Sequence, residues 1–312
     1  MRIGSKLSDQ LIKNIIDIYG KEGLKWLNQL ENLVPFFIKK WQLNRVRPIN
    51  NSSYNFVAYT YSDTYKCEAV LKISIPTREF LQEQKALLYY EGTSCVKLLD
   101  YDELRGGMLL EAISPGTTLK TLFPNDDIQA IYQTAKIIKN IHESEVLTCL
   151  ISQYPTVKYW DSDLESFIGH SVIGFKAEKA YHLHHYLFNS QSKLYLLHGD
   201  LHQDNVLQNN TGGWTAIDPK GVIGELACEI GAFIRNPMPE ILEYNNIEQI
   251  LEKRFLHFSN LLKIKKQRLI DWSYVQAVLA SCWAIQDKHK WMPWDRIADF
   301  IEKQGISNVD RL

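Results

Sequence analysis

The chain is predicted to fold as an α+β protein, with a small sheet region followed by a larger helical one, and three observations carry that prediction. Hydrophobic periodicity changes from helical spacing to alternation near residue 42. A Pro115-Gly116 break then ends the alternating region, and from about Asp126 helical spacing returns, apart from one hairpin-like insertion at 195 to 218. At 312 residues the chain can bury a large core, in one large domain or in two lobes.

Residues 9 to 41 read as helices, with Ile12, Ile15, Ile16 and Tyr19 on one face, then Leu24, Leu27, Leu30, Val34, Phe37 and Trp41 every three or four residues. This stretch, 1 to 43, is an N-terminal helical extension that docks on the rest. From "QLNRVRPI" the period changes, and "NFVAYTY" and "KCEAVLKI" form β-branched and aromatic runs on either side of the polar turn "SDT", which predicts a hairpin. "TREFLQEQKALLYYEG" predicts an amphipathic helix with Thr77 as N-cap and Gly92 as its stop. The strand-like runs "CVKLLDYD" and "GGMLLEAI" follow. The expected divisions are therefore 1–43, a sheet lobe at 44–113 and a helical lobe at 114–312.

Composition excludes more than it assigns. Lys and Arg (35) nearly balance Asp and Glu (36), so no global field would draw in nucleic acid or an anionic membrane. No segment reaches the apolar length of a membrane span and the first residues lack a signal-like core, so a cytoplasmic protein is expected. Five scattered cysteines, Cys67, Cys95, Cys149, Cys228 and Cys282, suggest buried thiols rather than a disulfide framework or a zinc site. His182, His184 and His185 fall at i, i+2 and i+3, a spacing that does not put three imidazoles on one helix face.

The chemistry concentrates in "HGDLHQDNVLQNNTGGWTAIDPKG", His198 to Gly221. "NVLQ" and "WTAI" are short strand candidates around the turn-forming "NNTGG". Antiparallel pairing would bring Asn205, at the start of the first, beside Asp218, at the end of the second, at the mouth of the loop that carries Asp200. Asn205 and Asp218 suit a hard cation such as Mg²⁺, which takes one or two protein oxygens and leaves room for phosphate and water. Asp200 suits a carboxylate that accepts the proton of an attacking hydroxyl. Taken singly, each of these residues reads as turn chemistry, and it is their combination and spacing that point to a site.

"HGDLHQDN", with an Asp thirteen residues after the Asn, resembles the catalytic loop and metal-binding motif of aminoglycoside phosphotransferases, relatives of the protein kinases. "AIDPKGVIGELACEIGAFIRNP" is similar to the segment that marks the streptomycin 6-kinase and hydroxyurea phosphotransferase branch, where D-P-K-G stands in for D-F-G. "AVLKI", "EQKALLYYEG", "LLEAISPGTTL" and "WSYVQAVLASCWAIQD" resemble further segments in the same order.

The resemblance implies a bilobal protein-kinase-like fold with a small antiparallel-sheet N-lobe and a larger helical C-lobe. It implies an ATP- and Mg²⁺-dependent kinase that phosphorylates a small-molecule hydroxyl, with streptomycin or a related aminocyclitol as first acceptor and hydroxyurea as a lesser one. Lys72 would meet the α- and β-phosphates and pair with Glu83, with Glu79 as the other candidate partner. Backbone groups around Glu111 and Ile113 would meet adenine, and Ser52 and Ser53 would serve in a phosphate-covering loop that has no glycine. Arg235 and Asp287 are candidates near the acceptor, and Lys220 would either neutralise phosphate charge or pair with Glu225. A choline-, sugar- or amino-acid-type metabolite kinase and a nucleotide-binding pseudokinase remain as alternatives, in a protein expected to be a monomer or homodimer.

Overall fold

A computed structural model describes residues 7–49, 53–142, 151–191 and 193–308. The chain divides between Ser114 and Pro115 into two compact units. In the first, helix α1 (Asp9–Lys40) precedes strands β1 (Leu43–Pro48), β2 (Phe56–Ser62) and β3 (Cys67–Ile73), helix α2 (Arg78–Tyr90), and strands β4 (Leu98–Asp102) and β5 (Gly107–Glu111). The strands form one antiparallel sheet in the order β1-β2-β3-β5-β4. β2 and β3 are the expected hairpin, paired from Phe56↔Ile73 to Ser62↔Cys67.

α1 starts at Ser8, whose hydroxyl accepts the Leu11 N–H at 3.1 Å, and bends at Gly20, where φ is 54°. Its buried face is Leu11, Ile15, Trp26, Leu30, Val34 and Phe37, continuing into Trp41. These side chains share one core with Phe56, Ala58, Ala69, Leu71, Ile73 and Leu109 of the sheet. Two positions of the expected stripe, Ile16 before the bend at Gly20 and Leu24 after it, are exposed. Gly107 lies so close to the Phe37 ring that a Cβ there would sit 2.1 Å from it, which seats α1 on the sheet. α2 has the expected cap, Thr77 Oγ1 accepting the Phe80 N–H at 3.5 Å, but Glu91 takes the left-handed C-cap position one residue before Gly92.

The second unit contains α3 (Asp127–Ile141), α4 (Trp160–Glu165), α5 (Gly174–Asn189), β6 (Tyr195–Leu197), β7 (Val206–Gln208), β8 (Trp214–Ala216), β9 (Val222–Gly224), α6 (Leu226–Glu229), α7 (Gly231–Ile234), α8 (Ile247–Leu262), α9 (Lys266–Gln286) and α10 (Met292–Glu302). α9 is buried nearly all round from Leu269 to Cys282 and packs on α5, α6, α7, α8 and α10, so it is the axis of this unit. Among the described residues no helix is long and apolar enough to cross a membrane. Cys95, Cys228 and Cys282 are buried, Cys67 is half-buried, and Cys149 lies outside the described residues.

Candidate functional site

Two small antiparallel pairings build the loop that carries Asp200. β6 pairs with β9 through Leu197↔Val222, and β7 pairs with β8 through Val206↔Ala216. The chain leaves β6 at His198, crosses Asp200 to Asn205, runs through the β7–β8 hairpin, and returns past Asp218 and Lys220 to β9. The outgoing and returning arms are cross-linked: Lys220 N–H donates to His198 O at 2.6 Å and Ile217 N–H to Asn205 O at 2.9 Å. Gly199 turns the loop at φ 79°, and a Cβ there would lie 2.9 Å from Val222 Cγ1. Asp218 takes the left-handed region at φ 59° immediately after Ile217.

Side chains complete the cross-linking. Nε2–H of His198 donates to Ile217 O at 2.8 Å, which fixes the tautomer and leaves Nδ1 to accept the Asp200 N–H at 3.3 Å. One buried imidazole therefore joins the backbone beside Asp218 to that of Asp200; burial holds it below the ordinary histidine pKa, in the neutral form this requires. Asn205 Nδ2 donates to Asp200 O at 3.0 Å. His202 caps the short 3₁₀ turn Gln203–Asn205 by accepting the Asp204 N–H at 3.3 Å, with Nε2 3.9 Å from Asp200 Oδ2.

Beneath the loop lie groups that the sequence reading did not single out. The Glu229 carboxylate accepts the His198 N–H at 2.7 Å and the Gly199 N–H at 2.9 Å, with His142 Nε2 3.3 Å away. Burial would raise the Glu229 pKa, yet the neighbouring His142, His198 and the Gly199 N–H together hold it below the usual carboxylate value. Its only sequence signal is an acid inside the apolar run "LACEI". Gln203 Nε2 donates to Phe233 O and Asn236 O at 3.3 and 3.1 Å. Arg254, fully buried, donates to Phe233 O at 3.1 Å, Ile234 O at 3.0 Å and Asn236 O, and pairs with Asp127 through two contacts of 2.8 Å. These bonds hold the end of α7, from which Arg235 reaches Asp200: Nη2 donates to Oδ1 at 3.3 Å and Nη1 to Gln276 Oε1 at 2.9 Å.

This geometry coincides with likeness to known proteins. Residues 41–288 match the family described as "Aminoglycoside/hydroxyurea antibiotic resistance kinase". The chain belongs to this family. Among curated relatives it is 23% identical over 291 residues to the streptomycin 6-kinase of Streptomyces griseus, covering 86% of this chain and 87% of that one. It is 24% identical over 310 residues to the hydroxyurea phosphotransferase of Kitasatospora aureofaciens, covering 95% and 86%. A solved choline kinase from Streptococcus pneumoniae superposes with a TM-score of 0.65 at 15% identity, covering 88% of this chain and 99% of that one, which shows a shared protein-kinase-like fold. The chain is thus a phosphotransferase of the aminoglycoside/hydroxyurea kinase family, acting on hydroxyl groups of small molecules.

In this kinase the Asp200 carboxyl feels opposing effects. Burial pushes its pKa up, but His202, Arg235, Lys220 and His198 around it hold it below the ordinary value, so it is ionised at neutral pH. Lys220 does not pair with Glu225, whose carboxylate is taken by Arg268 at 2.6 Å and by Trp272 Nε1. Arg235 is nearly buried and in contact with Asp200, not a solvated helix-end cation. Asp287 is the C-cap of α9, eleven residues and about 16 Å along the helix axis from Gln276.

In the first unit of the kinase, Lys72 on β3 meets Glu83 on α2, Nζ to Oε1 at 2.6 Å, with Lys72 4% exposed; Glu79, the other candidate, is exposed. Ser53 is exposed and its carbonyl accepts Asn14 Nδ2 at 3.0 Å, whereas Ser52 lies outside the described residues. Glu111 ends β5 with its N–H donating to Lys97 O at 2.9 Å, so that N–H cannot meet an adenine, and half-buried Ile113 follows two residues on. His184 is buried between Asp161 Oδ1 at 2.6 Å and Val157 O at 3.1 Å, whereas His185 is exposed.

Proposed function

We propose that this kinase transfers the γ-phosphoryl group of ATP, with Mg²⁺, to a hydroxyl of an aminocyclitol such as streptomycin, with Asp200 taking the acceptor's proton. The observation that carries the reading is the cross-linked loop itself, which sets an ionised carboxylate, an amide and a second carboxylate on adjoining turns of backbone. In the reaction the acceptor oxygen bonds to the γ-phosphorus as the bridging P–O bond to ADP breaks, and the hydroxyl proton passes to Asp200. Asn205 and Asp218 fit a hard cation. The Asn205 nitrogen is committed to Asp200 O, which leaves Oδ1 as its donor, and Asp218 supplies carboxylate oxygens. When bound, Mg²⁺ would neutralise charge on the phosphates.

Lys72, oriented by Glu83, would hold the α- and β-phosphates, Ser53 would lie near the phosphates, and the Glu111 carbonyl and the backbone at Ile113 would offer hydrogen bonds to adenine. Positioning and charge neutralisation would supply most of the rate, since phosphoryl transfer asks for little covalent work. ATP consumption over a panel of aminocyclitols, hydroxyurea, choline, sugars and amino acids tests the reading. Turnover with an aminocyclitol that Asp200→Asn abolishes, at unchanged ATP affinity, supports it. Turnover with choline or a sugar alone would make the protein a metabolite kinase, and ATP binding without turnover would make it a pseudokinase.

A further inference from the structure

We propose that Gln276 on α9 is a positioning residue for Asp200 that acts through Arg235 and selects which carboxylate oxygen faces the acceptor. The proposal rests on the reading of Asp200 as the group that takes the acceptor's proton. Gln276 is buried in an otherwise apolar stretch of α9, and its amide has one orientation available. Nε2 donates to Cys228 O and lies 3.3 Å from Cys228 Sγ, so Oε1 must point the other way, where it accepts from Arg235 Nη1 at 2.9 Å. Arg235 Nη2 then donates to Asp200 Oδ1 at 3.3 Å. Oδ2, with only His202 Nε2 at 3.9 Å among the described residues, is the oxygen left for an incoming hydroxyl.

Two further observations mark this as a built relay. Arg235 Nε is buried without a hydrogen-bond partner, so the guanidinium is located by Gln276 and Asp200, with the Trp294 ring 5.9 Å away. Removing the Gln276 contact would leave that cation one polar anchor, the catalytic carboxylate itself. Gly231, at the start of α7, makes the space: a Cβ there would lie 2.6 Å from Gln276 Cδ. A buried Gln, the glycine that admits it and the arginine it holds come from separate parts of the sequence and meet behind one side chain of the catalytic loop.

The test is steady-state kinetics with ATP and the acceptor that the panel identifies. Gln276→Met, of similar size but without the amide, is expected to lower kcat about 10- to 100-fold through loss of alignment, with KM for ATP unchanged within about twofold. Gly231→Ala leaves Gln276 in place chemically but displaces its amide, and should lower kcat in the same way. In an Arg235→Met background, Gln276→Met should lower kcat no further, because one path carries both effects. Losses that multiply in the double variant, or wild-type kcat in Gln276→Met, would overturn the proposal. If Gln276→Met does not fold, Gly231→Ala decides: wild-type kcat there also overturns it. Turnover retained by Asp200→Asn would refute the reading beneath, whereas an inactive Asp200→Asn beside a fully active Gln276→Met refutes the relay alone.

Discussion

Replacing Glu229 should loosen the catalytic loop from below, and the size of the effect follows from its contacts. Its two oxygens accept the His198 and Gly199 N–H groups at 2.7 and 2.9 Å, and His142 lies 3.3 Å away, with both side chains of that pair essentially fully buried. Hydrogen bonds to a charged acceptor contribute about 1.5–3 kcal/mol each, and removing one partner of a buried pair costs about 3–5 kcal/mol in all, since the groups left behind stay desolvated. These figures overlap and do not add. Glu229→Ala should therefore lose about 3–5 kcal/mol, which for a unit near 200 residues lowers Tm by roughly 6–20 °C.

Glu229→Gln keeps the volume but presents an NH₂ to a backbone donor, and should lose part of the same amount. The pH dependence has a definite sign. Glu229 has a depressed folded-state pKa, so its contribution is present above the unfolded value, about 4.3, and is lost as pH falls through the lower folded value. Thermal unfolding from pH 7 down to pH 3 should accordingly show the wild type losing its advantage over Glu229→Gln on acidification. A Tm change under about 2 °C for Glu229→Ala at pH 7, or a difference between wild type and Glu229→Gln that grows with acid, would refute the argument.

Three other outcomes are expected. Gly199→Ala should lower both Tm and kcat, because φ 79° strains an alanine and its Cβ would meet Val222 Cγ1 at 2.9 Å; circular dichroism melts and ATP consumption check this. Lys72→Met should raise KM for ATP at least tenfold, and Glu83→Gln should raise it less, since the amide can still accept from Lys72 at the 2.6 Å contact; equal KM values across the three proteins would show that Lys72 does not touch nucleotide. Arg254→Met should cost about 3–5 kcal/mol in denaturant unfolding, because it removes the buried partner of Asp127 and takes one donor from each of the carbonyls of Phe233, Ile234 and Asn236.

Local pattern was a good guide to the loop and a poor one to what holds it. The β7–β8 hairpin was legible because "NNTGG" between short β-branched runs specifies a turn, and a turn specifies which ends meet. The Lys72–Glu83 contact was expected from the resemblance, with Glu79 as the other candidate, and the structure brings Lys72 to Glu83 at 2.6 Å while Glu79 is exposed. The face of α1 was legible from Leu27 to Trp41, and of the expected stripe only Ile16 and Leu24, on either side of the bend at Gly20, are exposed. Gln276, in the segment that also carries Asp287, was not singled out, because a lone amide in an apolar helical run gives no sign of which distant side chain it will meet, and here it meets Arg235.

The amino-acid sequence by itself determined the α+β class, the kinase-like loop with Asp200, Asn205 and Asp218, and the lysine upstream, because each is written in residues near one another or in their order along the chain. Only the tertiary structure decided that Glu229, 31 positions from His198, anchors the loop. It also decided that Gln276, 41 positions from Arg235, meets that arginine where it donates to Asp200. Such contacts are made by burial, where a polar group must find a partner, and which partner it finds depends on how distant helices pack.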